Sequence, residues 1–254
     1  MPIVENLYYH LYQEHLVGKS AVILLHGAGG NYLSWPPEMR RLSGFRVYAL
    51  DLPGHGKSSG HGHQSISAYA DAIKKWMEAI TLNQVVLVGH SMGSAIALTL
   101  ALDDNDRISG LILIGCGARL RLSPVLLEDS ASITTFQTSI DTIMKWSFSL
   151  QASKRLVELT ANRMAEIRPS VLHGDLVACD SFDLTDQLEK ITQPSLILCG
   201  EEDKMTPLSL SRQLASTIRN ATLQVVPEAG HMVVLEQPKI VASAVIQFLE
   251  GLSG

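Results

Sequence analysis

The stretch VVLVGHSMGSAIALTLAL, residues 85–102, joins an apolar run rich in valine to a second apolar run rich in alanine and leucine. The first run is typical of a β-strand buried on both faces, and the second is typical of a buried helix. Gly89 and Gly93 stand two residues on either side of Ser91. Glycines at this spacing permit a tight strand-to-helix turn in which the serine backbone is strained and its hydroxyl is exposed. The stretch therefore predicts an α/β fold with Ser91 as a candidate nucleophile.

Similar short apolar runs recur along the chain and are separated by segments with helical periodicity. These runs are rich in Val, Ile and Leu: AVILLHG (21–27), FRVYALD (45–51), GLILIGC (110–116), SLILCG (195–200) and LQVVPEAGH (223–231). Alternating strands and helices predict a doubly wound, mostly parallel sheet in which the strands are buried on both faces. The helical pattern is clearest over residues 66–80 and 238–251. Residues 7–20 predict an antiparallel edge strand that turns at Gly18.

The alternation breaks between about residues 118 and 185, where the sequence contains no strand-like run and several helical patterns. A helical insertion between two strands of a parallel sheet lies at one end of that sheet. We therefore predict an α/β core formed by residues 1–117 and 186–254, with residues 118–185 inserted as a helical cap over a site.

Composition narrows the classes of partner. The chain has 254 residues, a formal net charge of -5, and no run of Lys or Arg, so we expect neither nucleic acid nor an anionic membrane as a partner. We expect no signal peptide and no membrane span, and hence a cytoplasmic location. The three cysteines are an odd number and predict buried free thiols. The nine histidines show no metal-ligand spacing, so we expect no metal and no cofactor. The chain is expected to be a monomer or a homodimer.

A serine nucleophile needs a base and an orienting carboxylate. His231 follows the last strand-like run, and the segment GEEDKMTP (200–207), with three acidic residues, follows the run before it. Both segments are predicted at the sheet edge that carries Ser91, where ligands bind in open α/β sheets. LLHGAGGN (24–31) ends another strand at this edge, and its glycines let backbone N–H groups approach a developing oxyanion.

Five motifs in this order resemble a known family: LLHGAGG, DLPGHGKSS, VGHSMGSAIAL, LCGEEDKMTP and AGHMVVLEQP. Together they are similar to the α/β-hydrolase superfamily, in its compact capped branch of carboxylesterases, enol-lactonases and perhydrolase-type haloperoxidases. The resemblance implies that Ser91 is the nucleophile, His231 the base and Asp203 the acid. It also implies that the backbone N–H groups of Ala28 and Met92 form the oxyanion hole.

Aromatic and sulfur-containing side chains near these motifs are candidates for binding substrate. We select Trp35, Met144 and Trp146, for each of which a place in the hydrophobic core is the alternative. His173, in LHGDLVACDSFDL (172–184), is a further candidate for lining the site, and helix capping is the alternative role of that segment.

These features predict a serine hydrolase that cleaves small to medium, mainly apolar carboxylic esters through an acyl-enzyme. Hydrolysis of enol-lactones, or of C–C bonds in aromatic-compound degradation, is the nearest alternative chemistry. Relatives that hydrolyse C–C bonds usually carry GNS, whereas this chain carries GHS at residues 89–91. A ligand receptor or signalling protein on a hydrolase scaffold is an alternative of another class.

Overall fold

The computed structural model describes residues 2–16 and 21–252. Its sheet contains eight strands in the order β1-β2-β4-β3-β5-β6-β7-β8. Their bounds are β1 Ile3–Val4, β2 Leu7–Tyr12, β3 Ala21–Leu25, β4 Arg46–Leu50, β5 Val85–His90, β6 Ile108–Ile114, β7 Ser195–Gly200 and β8 Ala221–Val226. The helices are α1 Pro37–Arg40, α2 Ile66–Ala79, α3 Met92–Asp103, α4 Pro124–Ser130, α5 Phe136–Ser147, α6 Lys154–Ala165, α7 Pro169–Ser181, α8 Leu208–Thr217, α9 Val233–Glu236 and α10 Pro238–Gly251.

The pairing confirms the predicted doubly wound, mostly parallel sheet. Strands β3 to β8 pair in parallel, and β2 pairs antiparallel with both β1 and β4. The predicted turn at Gly18 lies outside the described residues. Two predictions are wrong. The strand predicted at the antiparallel edge, β2, lies between β1 and β4, because the turn at residues 5–6 folds residues 3–4 against it and makes β1 the edge strand. In addition, β8 is not buried on both faces, because it forms the other edge of the sheet and only Val226 of its six residues is fully buried.

Apolar side chains fill both faces of the sheet. Ile23 and Leu25 of β3 belong to the core layer that includes side chains of α2, α3 and α8, whereas Val22 and Leu24 belong to the layer on the opposite face, with side chains of α1, α9 and α10. Successive residues of a strand point to opposite faces, so an unbroken apolar run supplies both layers at once. This core holds the carboxyl ends of β3, β5 and β7 at one edge.

Four helices, α4 to α7, lie between β6 and β7, and they share an apolar cluster of their own. The two ends of this segment meet: the Leu184 N–H donates to the Ala118 carbonyl at 2.7 Å, and Arg119 pairs with Asp183 in an isolated β-bridge. We call residues 118–185 the cap. Its last helix, α7, also packs on the core through Ala178 and Cys179.

The three cysteines confirm the prediction of free, buried thiols. Burial raises the pKa of the Cys116 thiol to about 12, so it stays protonated and unreactive at neutral pH. In the described ranges, no helix is long and apolar enough to cross a membrane.

Candidate active site

Ser91 forms the sharp turn between β5 and α3. Its backbone adopts φ 53° and ψ −116°, a conformation that is strained for a residue with a Cβ. A Cβ on Gly89 would overlap the Gly93 carbonyl, and a Cβ on Gly93 would overlap the Leu25 carbonyl in β3. The two glycines are therefore required by close backbone approach. The Ser91 N–H donates to the Ile114 carbonyl at 2.8 Å, which ties the turn to β6.

Ser94 reinforces this turn and was not singled out from the sequence. Its buried hydroxyl donates to the Gly89 carbonyl at 2.7 Å and accepts from the Ile114 N–H at 3.0 Å. One hydroxyl thus joins the end of β5, the first turn of α3 and the end of β6. Its position three residues after Ser91 in GHSMGS is the only signal that the sequence offers.

His231 and Asp203 lie on adjacent loops at the same edge of the sheet. His231 Nδ1 is 2.9 Å from Asp203 Oδ2, and Asp203 Oδ1 accepts from the Met205 and Thr206 N–H groups at 2.9 and 2.8 Å. Burial alone would raise the pKa of Asp203, but His231 and the hydrogen bonds from Thr206 lower it overall. An ionised carboxylate at this distance keeps the proton on Nδ1 and leaves Nε2 free to act as a base.

Thr206 completes the surroundings of this pair. Its Oγ1 donates to Asp203 Oδ2 at 2.8 Å and lies 3.1 Å from His231 Nδ1. Thr206 was not predicted as a site residue, although it stands three residues after Asp203 in DKMTP. The rival carboxylates lie elsewhere: Glu201 is exposed, and Glu202 accepts from the Leu150 N–H at 3.3 Å.

Two cavities meet at Ser91, and Ala28, Ser91 and His231 line both of them. The first has a volume of about 70 Å³ and lies against the loop of residues 27–31, which we call the oxyanion loop. The second measures about 330 Å³ and runs beneath the cap, with Arg119, Arg121 and Lys204 among its lining residues. Arg121 is paired with Asp183 at 3.3 Å.

The two backbone N–H groups predicted to hold an oxyanion flank Ser91. Ala28 lies in the oxyanion loop, and Met92 is the first residue of α3. Neither N–H donates a hydrogen bond to any residue within 2–16 or 21–252. Unpaired N–H groups at a helix start and in a glycine-rich loop are suited to binding a negative charge.

His26 braces the oxyanion loop from below. Its Nε2 accepts from the Leu52 N–H at 3.1 Å, so the proton lies on Nδ1, which donates to the Gly27 carbonyl at 2.8 Å. Burial and the nearby His55 imidazole hold the pKa of His26 well below its usual value. His26 is therefore neutral and structural.

Asp175, in α7 of the cap, holds the other side of the oxyanion loop. Its fully buried carboxylate accepts from the Gly29 N–H at 2.8 Å, from His55 Nε2 at 2.8 Å and from the Tyr69 hydroxyl at 2.5 Å. Burial alone would lower the pKa of His55, but Asp175 raises it overall. The cap is thus hydrogen-bonded to the loop that carries Ala28.

Asp175 was not predicted as a site residue, whereas His173, two residues earlier, was predicted as a candidate for lining the site. His173 Nδ1 lies 2.9 Å from Ser130 Oγ, and His173 lines neither cavity. LHGDLVACD contains no spacing that distinguishes a buried carboxylate from a solvated one.

The structure places only one of the three predicted substrate-binding side chains at a cavity. Trp146 lines the second cavity. Trp35 is 1% exposed and belongs to the core, with its ring 6.5 Å from that of His90, and Met144 packs inside the cap. The selection of Trp35 and Met144 is therefore corrected: each buries its apolar surface against neighbouring core side chains, away from both cavities.

His90 lies beneath the site. Its Nε2 is 2.9 Å from the His231 carbonyl, and burial, followed by the His231 imidazole, lowers the pKa of His90 to about 4. The neutral His90 ring therefore supports the backbone of the His231 loop. No group of three His, Cys, Asp or Glu in the described part of the chain is arranged to hold a metal ion.

Comparisons with known proteins agree with this architecture. Residues 20–238 match the family model described as alpha/beta hydrolase fold. The chain is 31% identical over 265 residues to "Putative carbamate hydrolase RutD" of Caulobacter sp. (strain K31), covering 98% of this chain and 97% of that protein. It is 29% identical to the 2-hydroxy-6-oxo-6-phenylhexa-2,4-dienoate hydrolase of Burkholderia cepacia, covering 83% of this chain and 81% of that protein.

Among the solved structures that are similar to this chain is one described as a thermophilic esterase. It superposes with a TM-score of 0.84 and 31% identity, covering 99% of this chain and 96% of that chain. The enol-lactonase from Burkholderia xenovorans LB400 superposes with a TM-score of 0.89 at 22% identity, covering 96% of each chain, and shares the fold. The chain therefore belongs to the α/β-hydrolase family.

Proposed function

We propose that this α/β hydrolase is a serine hydrolase that cleaves carboxylic esters through an acyl-enzyme. The observation that carries the proposal is the strained turn at Ser91 beside the buried His231–Asp203 pair, at the point where two cavities meet. A strained, accessible serine next to an oriented imidazole is the arrangement that nucleophilic acyl transfer needs.

The proposed reaction has two steps. His231 Nε2 removes the proton of Ser91 Oγ as the oxygen attacks the ester carbonyl, while Asp203 stabilises the imidazolium. The Ala28 and Met92 N–H groups hold the oxyanion, and each such donor contributes about 3 kcal/mol to stabilising the transition state. The alcohol leaves with the proton from His231, and water activated by His231 then hydrolyses the acyl-enzyme.

Carbamate hydrolysis is the second candidate, because the relative that is 31% identical carries that activity in its name. The same nucleophile, base and oxyanion donors would serve a carbamate carbonyl. Enol-lactone and C–C bond hydrolysis require the same groups, and a relative named for the latter is 29% identical. These reactions are distinguished by measuring which substrates the protein hydrolyses.

The test is a panel of p-nitrophenyl acetate, butyrate and octanoate together with a carbamate ester and an enol-lactone. Ser91→Ala is expected to lower kcat by about a thousandfold or more, with Ser67→Ala, an exposed serine on α2, as the matched control. A fluorophosphonate probe should label Ser91 in the folded wild type. Failure to label Ser91 contradicts the nucleophile assignment.

The receptor alternative predicts a different result on the same panel. A receptor would bind ligand, with a rise in melting temperature, yet turn over each ester only once or very slowly. Sustained turnover of the panel by the wild type excludes this alternative.

A further inference from the structure

One buried side-chain hydroxyl among the residues that line the first cavity lacks a hydrogen-bond partner. Ser147, the last residue of α5, is fully buried, and its Oγ makes no hydrogen bond within the described part of the chain. Ser147 lines the same cavity as Ser91 and His231. Buried hydroxyls are almost always paired, so an unpaired hydroxyl on a residue that lines a cavity is a candidate hydrogen-bond partner for a bound molecule.

The backbone holds this hydroxyl in place relative to the base. The Met232 N–H donates to the Ser147 carbonyl at 2.9 Å, so the end of α5 is bonded to the residue that follows His231. A ligand atom that contacts Ser147 would therefore lie in a fixed position relative to Ser91 and His231.

Apart from the hydroxyl of Ser91 itself, the other hydroxyls of this cavity and the Asn31 amide oxygen already have partners. Thr160 Oγ1 donates to the Leu156 carbonyl at 2.9 Å, Ser34 Oγ accepts from the Asn31 N–H at 3.1 Å, and Asn31 Oδ1 accepts from the Leu33 N–H at 2.8 Å. Arg163 is exposed and donates to the Leu33 carbonyl at 3.2 Å. The remaining side chains of the wall are mainly apolar: Ile143, Met164, Leu176, Met205, Val234 and Leu235.

We propose that the first cavity binds a short, mainly apolar arm of the substrate that carries one hydrogen-bonding atom, a hydroxyl or a carbonyl, which pairs with Ser147 Oγ. The size of the cavity, about 70 Å³ against about 330 Å³ for the second, restricts this arm to a few heavy atoms. The larger arm of the ester lies in the second cavity. This inference rests on the proposed ester hydrolysis and specifies its substrate class.

The test uses two pairs of esters in which a methyl group and a hydroxyl exchange places. Methyl 3-methylbutanoate and methyl 3-hydroxybutanoate vary the acyl arm, and isobutyl acetate and 2-hydroxypropyl acetate vary the alcohol arm. The wild type should favour the hydroxyl member of one pair by roughly tenfold in kcat/KM, because a buried hydrogen bond replaces an unpaired hydroxyl. The responding pair identifies which arm enters the first cavity.

Ser147→Ala should lower kcat/KM for that hydroxy ester by roughly tenfold and leave its methyl counterpart unchanged or improved. Ser139→Ala is the matched control, because Ser139 is buried in the same helix, bonds to the Thr135 carbonyl and lines neither cavity. Ser139→Ala should leave the ratio of kcat/KM between the hydroxyl and methyl members unchanged in both pairs of esters.

Two outcomes overturn the inference. If the wild type hydrolyses all four esters without preferring a hydroxyl on either arm, Ser147 faces only water, and this result does not depend on whether Ser147→Ala folds. If a preference exists and persists in folded Ser147→Ala, another group causes it. If none of the four esters is hydrolysed and fluorophosphonate leaves Ser91 unlabelled, the proposed function itself fails, and the inference falls with it.

Discussion

Replacing Asp175 by asparagine removes the charge that joins the cap to the oxyanion loop while keeping the size of the side chain. Three donors, from Gly29, His55 and Tyr69, converge on the carboxylate. An amide presents one acceptor oxygen and an NH₂ group that is itself a donor. At least one of the three donors must therefore lose its acceptor, and His55 Nε2 no longer faces a carboxylate.

The magnitudes follow from these contacts. A buried donor left unpaired costs about 1–3 kcal/mol, and Asp175→Asn leaves at least one donor unpaired. We therefore expect Asp175→Asn to lower the free energy of unfolding by about 1–3 kcal/mol, which leaves a typical domain folded. Misplacing an oxyanion donor costs up to about a hundred- to a thousandfold in kcat. Loosening the Gly29 anchor should therefore lower kcat by about ten- to a hundredfold.

The assay is steady-state hydrolysis of p-nitrophenyl butyrate, at a temperature where circular dichroism shows the variant folded, together with urea unfolding. KM should change little, because Asp175 lines neither cavity. Asp180→Asn is the matched control: Asp180 lies in the same helix and accepts from the Leu122 N–H at 2.9 Å, without contact to the oxyanion loop. Wild-type kcat in folded Asp175→Asn, or an equal loss in Asp180→Asn, would refute the positioning role.

Three further substitutions test the surroundings of the site. Thr206→Val keeps the shape of the side chain but removes the hydroxyl that donates to Asp203 at 2.8 Å. The free energy of unfolding should therefore fall by about 1 kcal/mol, and kcat should fall several-fold. An unchanged kcat would exclude a role of Thr206 in orienting Asp203. Folding lowers the pKa of His90 from 6.5 to about 4. As the pH falls from 6.5 to 4, the unfolded chain therefore binds a proton at His90 before the folded chain does, and the free energy of unfolding decreases by about 3 kcal/mol in all. Urea unfolding of His90→Gln from pH 7 to 4 should show a shallower decline, whereas an identical slope would contradict the assignment. Trp35→Phe should lower the free energy of unfolding by about 1–3 kcal/mol and leave KM unchanged, because Trp35 is buried in the core. A large rise in KM without a loss of stability would show instead that Trp35 contacts the substrate.

The position of Ser91 at a strand-to-helix turn and the succession of buried strands along the chain could be predicted because their signals are local. The steric need for Gly89 and Gly93 is written within five residues, and strands buried on both faces leave unbroken apolar runs. His231 and Asp203 could be located because each follows a strand, and parallel strands end at one edge. The burial of β8 was misjudged because its apolar residues lie at the edge of the sheet, where burial depends on what lies beside the strand.

The roles of Asp175, Ser147 and Trp35 depend on contacts that the local sequence does not encode. Gly29 and Asp175 are 146 residues apart, and only the docking of α7 against the core brings them together. Ser147 is notable because its buried hydroxyl lacks a hydrogen-bond partner, and Trp35 because its ring packs among apolar core side chains; both properties belong to the packed chain. A short motif specifies which groups are available, while packing decides which of them meet.

The hydrogen bond between Leu184 and Ala118 has a consequence for building chimeras of this family. Because the cap leaves and re-enters the core at adjacent points, it can be exchanged as one cassette without altering the spacing of β6 and β7. The oxyanion loop, however, belongs to the core and takes one of its hydrogen-bond acceptors from the cassette. A foreign cap must therefore carry a carboxylate at the position of Asp175, or the recipient core receives a new pocket above a poorly anchored oxyanion loop.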